Sequence, residues 1–291
     1  MSEIKIERAL VLGAGTMGAG IAEVFARAGL ETFLFDVSPE AVNKGLASLD
    51  KSLGKAVEKQ KLSADAAASI RARVSMLPGP EAAATVDLVV EAVPEDMGLK
   101  KKLLGDLAHK NERAILATNT SSLSVTEIAA ACRRPERVIG LHFFNPPPVM
   151  PLLEIVTAEQ TSPETLASAM ALAARAEKSP IVVKDSPGFA TSRLGIILGM
   201  EAIRMLESGV ASAADIDQAM ELGYKHPMGP LKLTDLVGLD VRLAIAEHLS
   251  KEIGPQFTPP PLLRRLVRAG KLGKKTGEGF YRWVDGNAVK K

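Results

Sequence analysis

Apolar residues recur along this chain in two rhythms, and the switch between them sets out its organisation. Short, mainly apolar runs at 9–12 (ALVL), 32–35, 86–93 with Glu91 inside it, 114–118, 137–141, 152–156 and 181–184 are rich in β-branched residues, the pattern of buried strands. Between them the spacing turns helical. Such stretches cover 16–28, stopped by Gly29; 39–76, opened by Ser38-Pro39-Glu40; and 97–109. A short one follows the capping box Ser124 to Glu127 and ends before Pro135, and another follows Ser162-Pro163-Glu164. Strand and helix alternate in this way up to about residue 185, which predicts an α/β structure.

Asp185-Ser186-Pro187-Gly188-Phe189 breaks the alternation, and almost only helical patterns follow. The first, 190–208, is hydrophobic around most of its circumference and is expected to be buried. A second is capped by Ser212 and ends at Gly223, and others run through 234–252 and 260–270. The expectation is therefore a first domain over 1–185 and an all-helical domain over 186–291, the helical half serving as a subunit interface. Lys274 to Tyr281 is rich in glycine but ends in aromatics, which reads as an ordered loop anchored against the body.

The first strand leads directly into Gly13-Ala14-Gly15-Thr16-Met17-Gly18. In a strand–turn–helix setting, the first glycine allows the tight turn and the second lets a pyrophosphate approach the backbone. The third lets the helix pack on the strand, with its N–H groups facing the phosphates. A second strand ends in Asp36, 18 residues past Gly18, where such folds place the carboxylate that accepts from the adenosine ribose hydroxyls. These features make the first domain Rossmann-like and favour NAD over NADP, because the carboxylate repels a 2′-phosphate. An ordinary turn aspartate is the plainer reading of Asp36.

With 291 residues the chain can bury the cores of two domains, and a net charge of +2 leaves no electrostatic footprint for nucleic acid. Its one cysteine, Cys132, excludes an intrachain disulfide, and the start MSEIKIERALVLG enters a strand without a signal-peptide pattern, so a reducing, cytoplasmic setting is expected. No stretch is long and apolar enough for a membrane span, and no histidine or cysteine grouping suggests a metal.

Candidate chemistry gathers at strand ends. His142 and Glu154 are equidistant from Pro148, in a proline-rich connection between two apolar runs. If the runs fold back on each other, imidazole and carboxylate meet, and a carboxylate among Leu152, Leu153, Ile155 and Val156 needs such a partner. A paired imidazole is a tuned base; a satisfied structural histidine is the plainer alternative. Glu95 and the cluster Asn119-Thr120-Ser121-Ser122 fall at the carboxyl edges of two other strands, where ligands bind in open α/β sheets. Lys51, Lys55, Lys59 and Lys61 form a cationic face that is either solvated or receives the phosphates of a second, large anionic ligand.

Taken in order, GAGTMGAGIA, NTSSL, GLHFFNPPPVMPLLEIV, KDSPGF and GKKTGEGFY closely resemble the L-3-hydroxyacyl-CoA dehydrogenase family, which includes the 3-hydroxybutyryl-CoA dehydrogenases. The likeness runs nearly end to end. It implies an NAD-dependent enzyme that interconverts (S)-3-hydroxyacyl-CoA and 3-ketoacyl-CoA, an acyl-CoA substrate and a homodimer. By the same resemblance His142 is the general base and Glu154 the carboxylate that orients it, while Ser121 bonds the substrate oxygen. Asn119 and Asn145 match positions near the nicotinamide and the reacting carbonyl. Glu95, Lys100 and Lys275 match cofactor contacts, and Ser52 and Lys59 match contacts to coenzyme A. One position departs from the family pattern: where it reads I-V-N-R after PGF, this chain has Ala190-Thr191-Ser192-Arg193, so Ser192 stands where an asparagine would donate to the substrate oxygen. Relatives of this architecture also act on sugar acids or other small β-hydroxy acids, and a non-catalytic nucleotide-binding protein is the remaining alternative.

Overall fold

The computed structural model describes residues 4–77 and 84–290. The expectation of a start without a leader falls partly on residues 1–3, which lie outside the described residues. Two compact units divide between Ser186 and Pro187.

The first unit is an eight-stranded sheet. Its strands are β1 (Arg8–Leu12), β2 (Glu31–Phe35), β3 (Val74–Met76), β4 (Leu88–Glu91), β5 (Ile115–Thr118), β6 (Val138–Phe143), β7 (Leu152–Thr157) and β8 (Ser179–Lys184). They lie in the order β3-β2-β1-β4-β5-β6-β7-β8, all neighbours parallel except β6 and β7. The order reverses at β1, which pairs with β2 on one side and β4 on the other, and this opens a crevice at the strands' carboxyl ends. The connecting helices are α1 (Thr16–Arg27), α2 (Pro39–Glu58), α3 (Ala64–Ala72), α4 (Met97–Lys110), α5 (Val125–Ala129) and α6 (Pro163–Arg175). One face of α1 supplies Ile21, Ala22, Val24 and Phe25 to a core shared with Leu34, Val90, Leu141 and Phe143.

Two expectations for this unit are corrected. The stretch 39–76 is not helical throughout: it breaks after Glu58, and Val74–Met76 is the edge strand β3, paired to β2. Three residues following a helix leave no periodicity to mark a strand. The strand expected through Val93 ends at Glu91, because that side chain turns back to accept from the Val93 N–H at 2.9 Å.

The second unit is built from α7 (Thr191–Glu207), α8 (Ala213–Gln218), α9 (Pro230–Val237), α10 (Leu239–Glu252) and α11 (Pro261–Arg268). Here α7 is buried on one face only: Ile196, Met200 and Ile203 enter the core, whereas Leu194 and Leu198 are 63% and 43% exposed. The pattern expected as one helix over 234–252 is two, split at Gly238, whose φ of +109° no helix accommodates. The unit closes with a hairpin of β9 (Arg282–Val284) and β10 (Asn287–Val289), a small β addition to an otherwise helical body. Asp235 anchors the tail, accepting from the N–H groups of Phe280 and Tyr281 and from Trp283 Nε1 at 2.8–2.9 Å.

Among the described residues, no helix is long and apolar enough to cross a membrane, and no cluster of acidic, histidine or cysteine side chains could hold a metal ion.

Candidate active site

The glycine turn sits where the sheet order reverses, and each glycine is required for a different reason. Gly13 has φ +95°, and a Cβ there would lie 2.7 Å from the Ala92 carbonyl oxygen. At Gly18 a Cβ would meet the Gly13 oxygen at 1.7 Å, so this position brings α1 onto the turn. Gly15 differs: nothing lies within 4 Å of the place a Cβ would take. This gap opens at the start of α1, where Thr16, Met17 and Gly18 carry N–H groups that no intrahelical carbonyl can satisfy. Each of α2 to α6 has a side-chain cap, from Ser38, Ser63, Asp96, Ser124 or Ser162; the N-terminus of α1 has none. An uncapped helix end facing open space fits the pyrophosphate of a dinucleotide. Asp36 closes the turn, accepting from Ala14 N at 2.8 Å and Ser38 N at 3.2 Å.

The two apolar runs around the prolines do fold back. In the β6–β7 ladder His142 is the register partner of Glu154, and Nδ1 lies 2.9 Å from Oε2, with Glu154 fully buried. The carboxylate accepts a hydrogen bond from Nδ1–H, which leaves the lone pair of the neutral ring on Nε2. The Phe144 ring packs 4.5 Å from the imidazole, centroid to centroid. Gly140, two pairs further in, is needed because a Cβ would lie 2.7 Å from Val156 Cβ.

The hairpin loop is tied to the cofactor helix. Pro147 packs on Gly20 of α1, where a Cβ would meet its ring at 2.7 Å. Lys178 Nζ donates to the carbonyls of Pro147 and Met150 at 2.6 and 2.8 Å. Burial, then the neighbouring Arg27 charge, lower the Lys178 pKa against the pull of Glu23. Neither Gly20 nor Lys178 is distinguishable by sequence alone.

A second network organises the ends of β4 and β5. Glu91 is wholly buried and accepts from Lys100 Nζ at 2.6 Å and Thr118 Oγ1 at 2.8 Å. Lys100 also reaches Glu95, at 3.3 Å. Glu95 in turn accepts from Thr120 Oγ1 at 2.5 Å, from Ser121 N at 3.0 Å and from Ser121 Oγ at 3.3 Å. Burial pulls the Glu95 carboxyl upward, but the Lys100 charge and the donors from Thr120 and Ser121 outweigh it, and its pKa lies below the ordinary 4.5. Lys100, expected as a cofactor contact, is only 1% exposed and lies between the Glu91 and Glu95 carboxylates. Asn119 Oδ1 accepts from Phe143 N at 2.9 Å and so joins the end of β5 to the backbone beside His142. Sequence reasoning missed Glu91 as a partner, although it carries the same signal as Glu154, a carboxylate inside an apolar run.

The remaining expected residues are more dispersed. The peptide between Asn145 and Pro146 is cis, in the loop that follows β6. Ser52 is half-buried on α2, and Lys59 is that helix's exposed final cap; among the described residues Lys51, Lys55, Lys59 and Lys61 enter no ion pair. In the second unit Ser192 is half-buried in the first turn of α7, and Lys275 Nζ lies 2.6 Å from the Asp240 carboxylate. Cys132, expected within a helix, lies in the turn after α5, buried, with its thiol pushed up to about 11 by desolvation.

Comparison with known proteins agrees with this arrangement. Residues 8–186 match the family model described as 3-hydroxyacyl-CoA dehydrogenase, NAD binding domain, and residues 188–283 match the model of that enzyme's C-terminal domain. A 3-hydroxybutyryl-CoA dehydrogenase from Clostridioides difficile is 47% identical over 275 residues, covering 93% of this chain and 97% of its own. The human mitochondrial hydroxyacyl-coenzyme A dehydrogenase is 41% identical over 291 residues, covering 97% and 92% respectively. The solved structure of an (S)-3-hydroxybutyryl-CoA dehydrogenase from Ralstonia eutropha superposes with a TM-score of 0.92 at 42% identity, over 97% of this chain and all of that one. The glycine turn, the imidazole–carboxylate pair and these likenesses over nearly the whole length lead to one conclusion: the chain belongs to the 3-hydroxyacyl-CoA dehydrogenase family, and its first unit is that family's NAD-binding domain.

Proposed function

We propose that His142 is the general base of an NAD-dependent dehydrogenase that interconverts (S)-3-hydroxyacyl-CoA and 3-ketoacyl-CoA. The observation that carries this reading is the 2.9 Å contact between His142 Nδ1 and Glu154 Oε2, made in a fully strand-paired register. In the oxidative direction Nε2 takes the proton of the substrate's C3 hydroxyl, and the buried Glu154 carboxylate stabilises the imidazolium that results. NAD, when bound, accepts the hydride that leaves C3. The Ser121 hydroxyl would turn its single proton from Glu95, 3.3 Å away, to the substrate oxygen as charge gathers there, and Ser192 is proposed as a second donor. Residues Gly13, Gly15, Thr16, Met17, Gly18 and Asp36 would hold the dinucleotide, with Glu95, Asn119, Asn145 and Lys275 as further contacts. Ser52 and Lys59 would meet the coenzyme A portion, where the unpaired cationic face of α2 suits its phosphates.

Relatives carry the names 3-hydroxybutyryl-CoA dehydrogenase and, in Escherichia coli, 3-hydroxyadipyl-CoA dehydrogenase, so the thioester is their shared feature and the acyl group varies. The second unit would bind substrate and pair two copies, a role suited to the exposed Leu194 and Leu198 on α7. A cytoplasmic setting is consistent with a lone, buried cysteine. The test is direct. Acetoacetyl-CoA with NADH should give cofactor oxidation, and His142→Gln should slow it by about 10² or more without weakening NADH binding. No oxidation with short or long acyl chains at neutral pH would overturn the reading.

A further inference from the structure

Among the described residues, Arg242, in the first turn of α10, is the one buried cation of the second unit that the reaction described above does not use. It is 6% exposed, its Nε has no hydrogen-bond partner, and among the described residues no carboxylate pairs with its guanidinium. Desolvation lowers its pKa to about 10, and no acidic neighbour offsets the shift. Burying a guanidinium without a counter-charge is costly, whereas its planar fork is well suited to take a carboxylate in a bidentate grip.

The room for it is made by a glycine. On α7, a Cβ at Gly195 would lie 3.1 Å from Arg242 Nη1 and 3.8 Å from Nη2, so any larger residue would press on the guanidinium. Glycine inside a helix weakens that helix, which makes this accommodation specific rather than incidental. Gly195 follows Ser192 by three residues, on the same side of α7, a rise of about 4.5 Å. If Ser192 meets the oxygen on C3, Arg242 lies about one helical turn away, a distance the acyl chain covers in a few bonds beyond C3.

We infer that Arg242 receives a carboxylate at the far end of the acyl group, so that the substrates of this enzyme include coenzyme A thioesters of 3-hydroxy dicarboxylic acids. The inference rests on the proposed function for the placement of C3. It assigns the second unit a part in substrate choice, through an acid group held by a buried guanidinium.

Adipyl-CoA and hexanoyl-CoA test this. Both are six-carbon esters without the 3-hydroxyl, so they bind without reacting, and they differ only in the terminal acid. By calorimetry the wild-type protein should bind adipyl-CoA about tenfold or more tighter than hexanoyl-CoA, and Arg242→Met should bring that ratio to about one. Gly195→Ala, which crowds the guanidinium, should reduce the ratio in the same direction and carries the test if the methionine variant does not fold. Equal binding of the two esters by the wild-type protein, or a preference that survives Arg242→Met, overturns the acid-end assignment alone. Failure of both esters to bind would overturn the thioester reading and this inference with it.

Discussion

Lys100 Nζ stands 2.6 Å from Glu91 Oε1, with the lysine 1% exposed and the glutamate fully buried. A buried pair of this kind adds little stability by itself, but removing one partner strands the other charge in a poorly solvating interior. Lys100→Met should therefore destabilise the first unit by about 3–5 kcal/mol, and the double change with Glu91→Gln should recover most of that loss. Denaturant unfolding of the single and double variants checks it; a single variant within about 1 kcal/mol of the wild type would show that the pair is not what holds these strand ends.

Glu154→Gln keeps the shape of the β6–β7 pair and removes its charge. The imidazolium formed during turnover then loses its counter-ion, and the amide can present its NH₂ to Nδ1, which selects the wrong tautomer. Turnover should fall by about 10² or more, with little change in NADH affinity. Equal losses in NADH binding and turnover would point instead to a collapsed hairpin.

The carboxyl of Glu95 provides a prediction in pH. Its pKa in the folded protein lies below the ordinary 4.5, so its contribution to stability is present above that value and is lost as the pH falls through the lower folded value. Thr120→Val removes one donor and narrows the gap, so acid unfolding of the variant should begin at higher pH than that of the wild type. The side chain is 38% exposed, and solvent screening keeps the effect modest. Acid unfolding curves that superpose would count against it.

Two glycine changes should separate folding from cofactor binding. Gly15→Ala adds a methyl where the protein has no neighbour, so stability should change by no more than about 1 kcal/mol while NADH binding weakens strongly. Gly18→Ala drives a methyl into the Gly13 carbonyl and should lower stability and NADH binding together. Thermal melts with and without NADH distinguish the two; equal melting losses would undo this division of roles.

The parts of the fold that could be read from sequence are those where pattern and punctuation agree. The glycine turn follows an apolar strand and opens a helix, and the hairpin is bounded by two apolar runs with prolines between them, so both the turn and the facing of His142 and Glu154 were legible. Edge elements were not, because β3 is three residues long and follows a helix directly. Nor was the break at Gly238, where leucine and valine continue the apolar spacing on both sides and only the positive φ separates α9 from α10. The burial of Lys100 does not follow from its family position, and KKK offers three candidates. Its spacing from Leu104 and Leu107, both buried on the same face, identifies the one that turns inward.

The seat of Pro147 on Gly20 has a consequence for how this enzyme could be altered. Because the loop behind the proposed base rests directly on the helix that opens at the glycine turn, His142 and the proposed dinucleotide cradle share one frame within the first unit. Under the proposed assignments, changes of acyl preference made on α7 and α10 would leave that frame as it is.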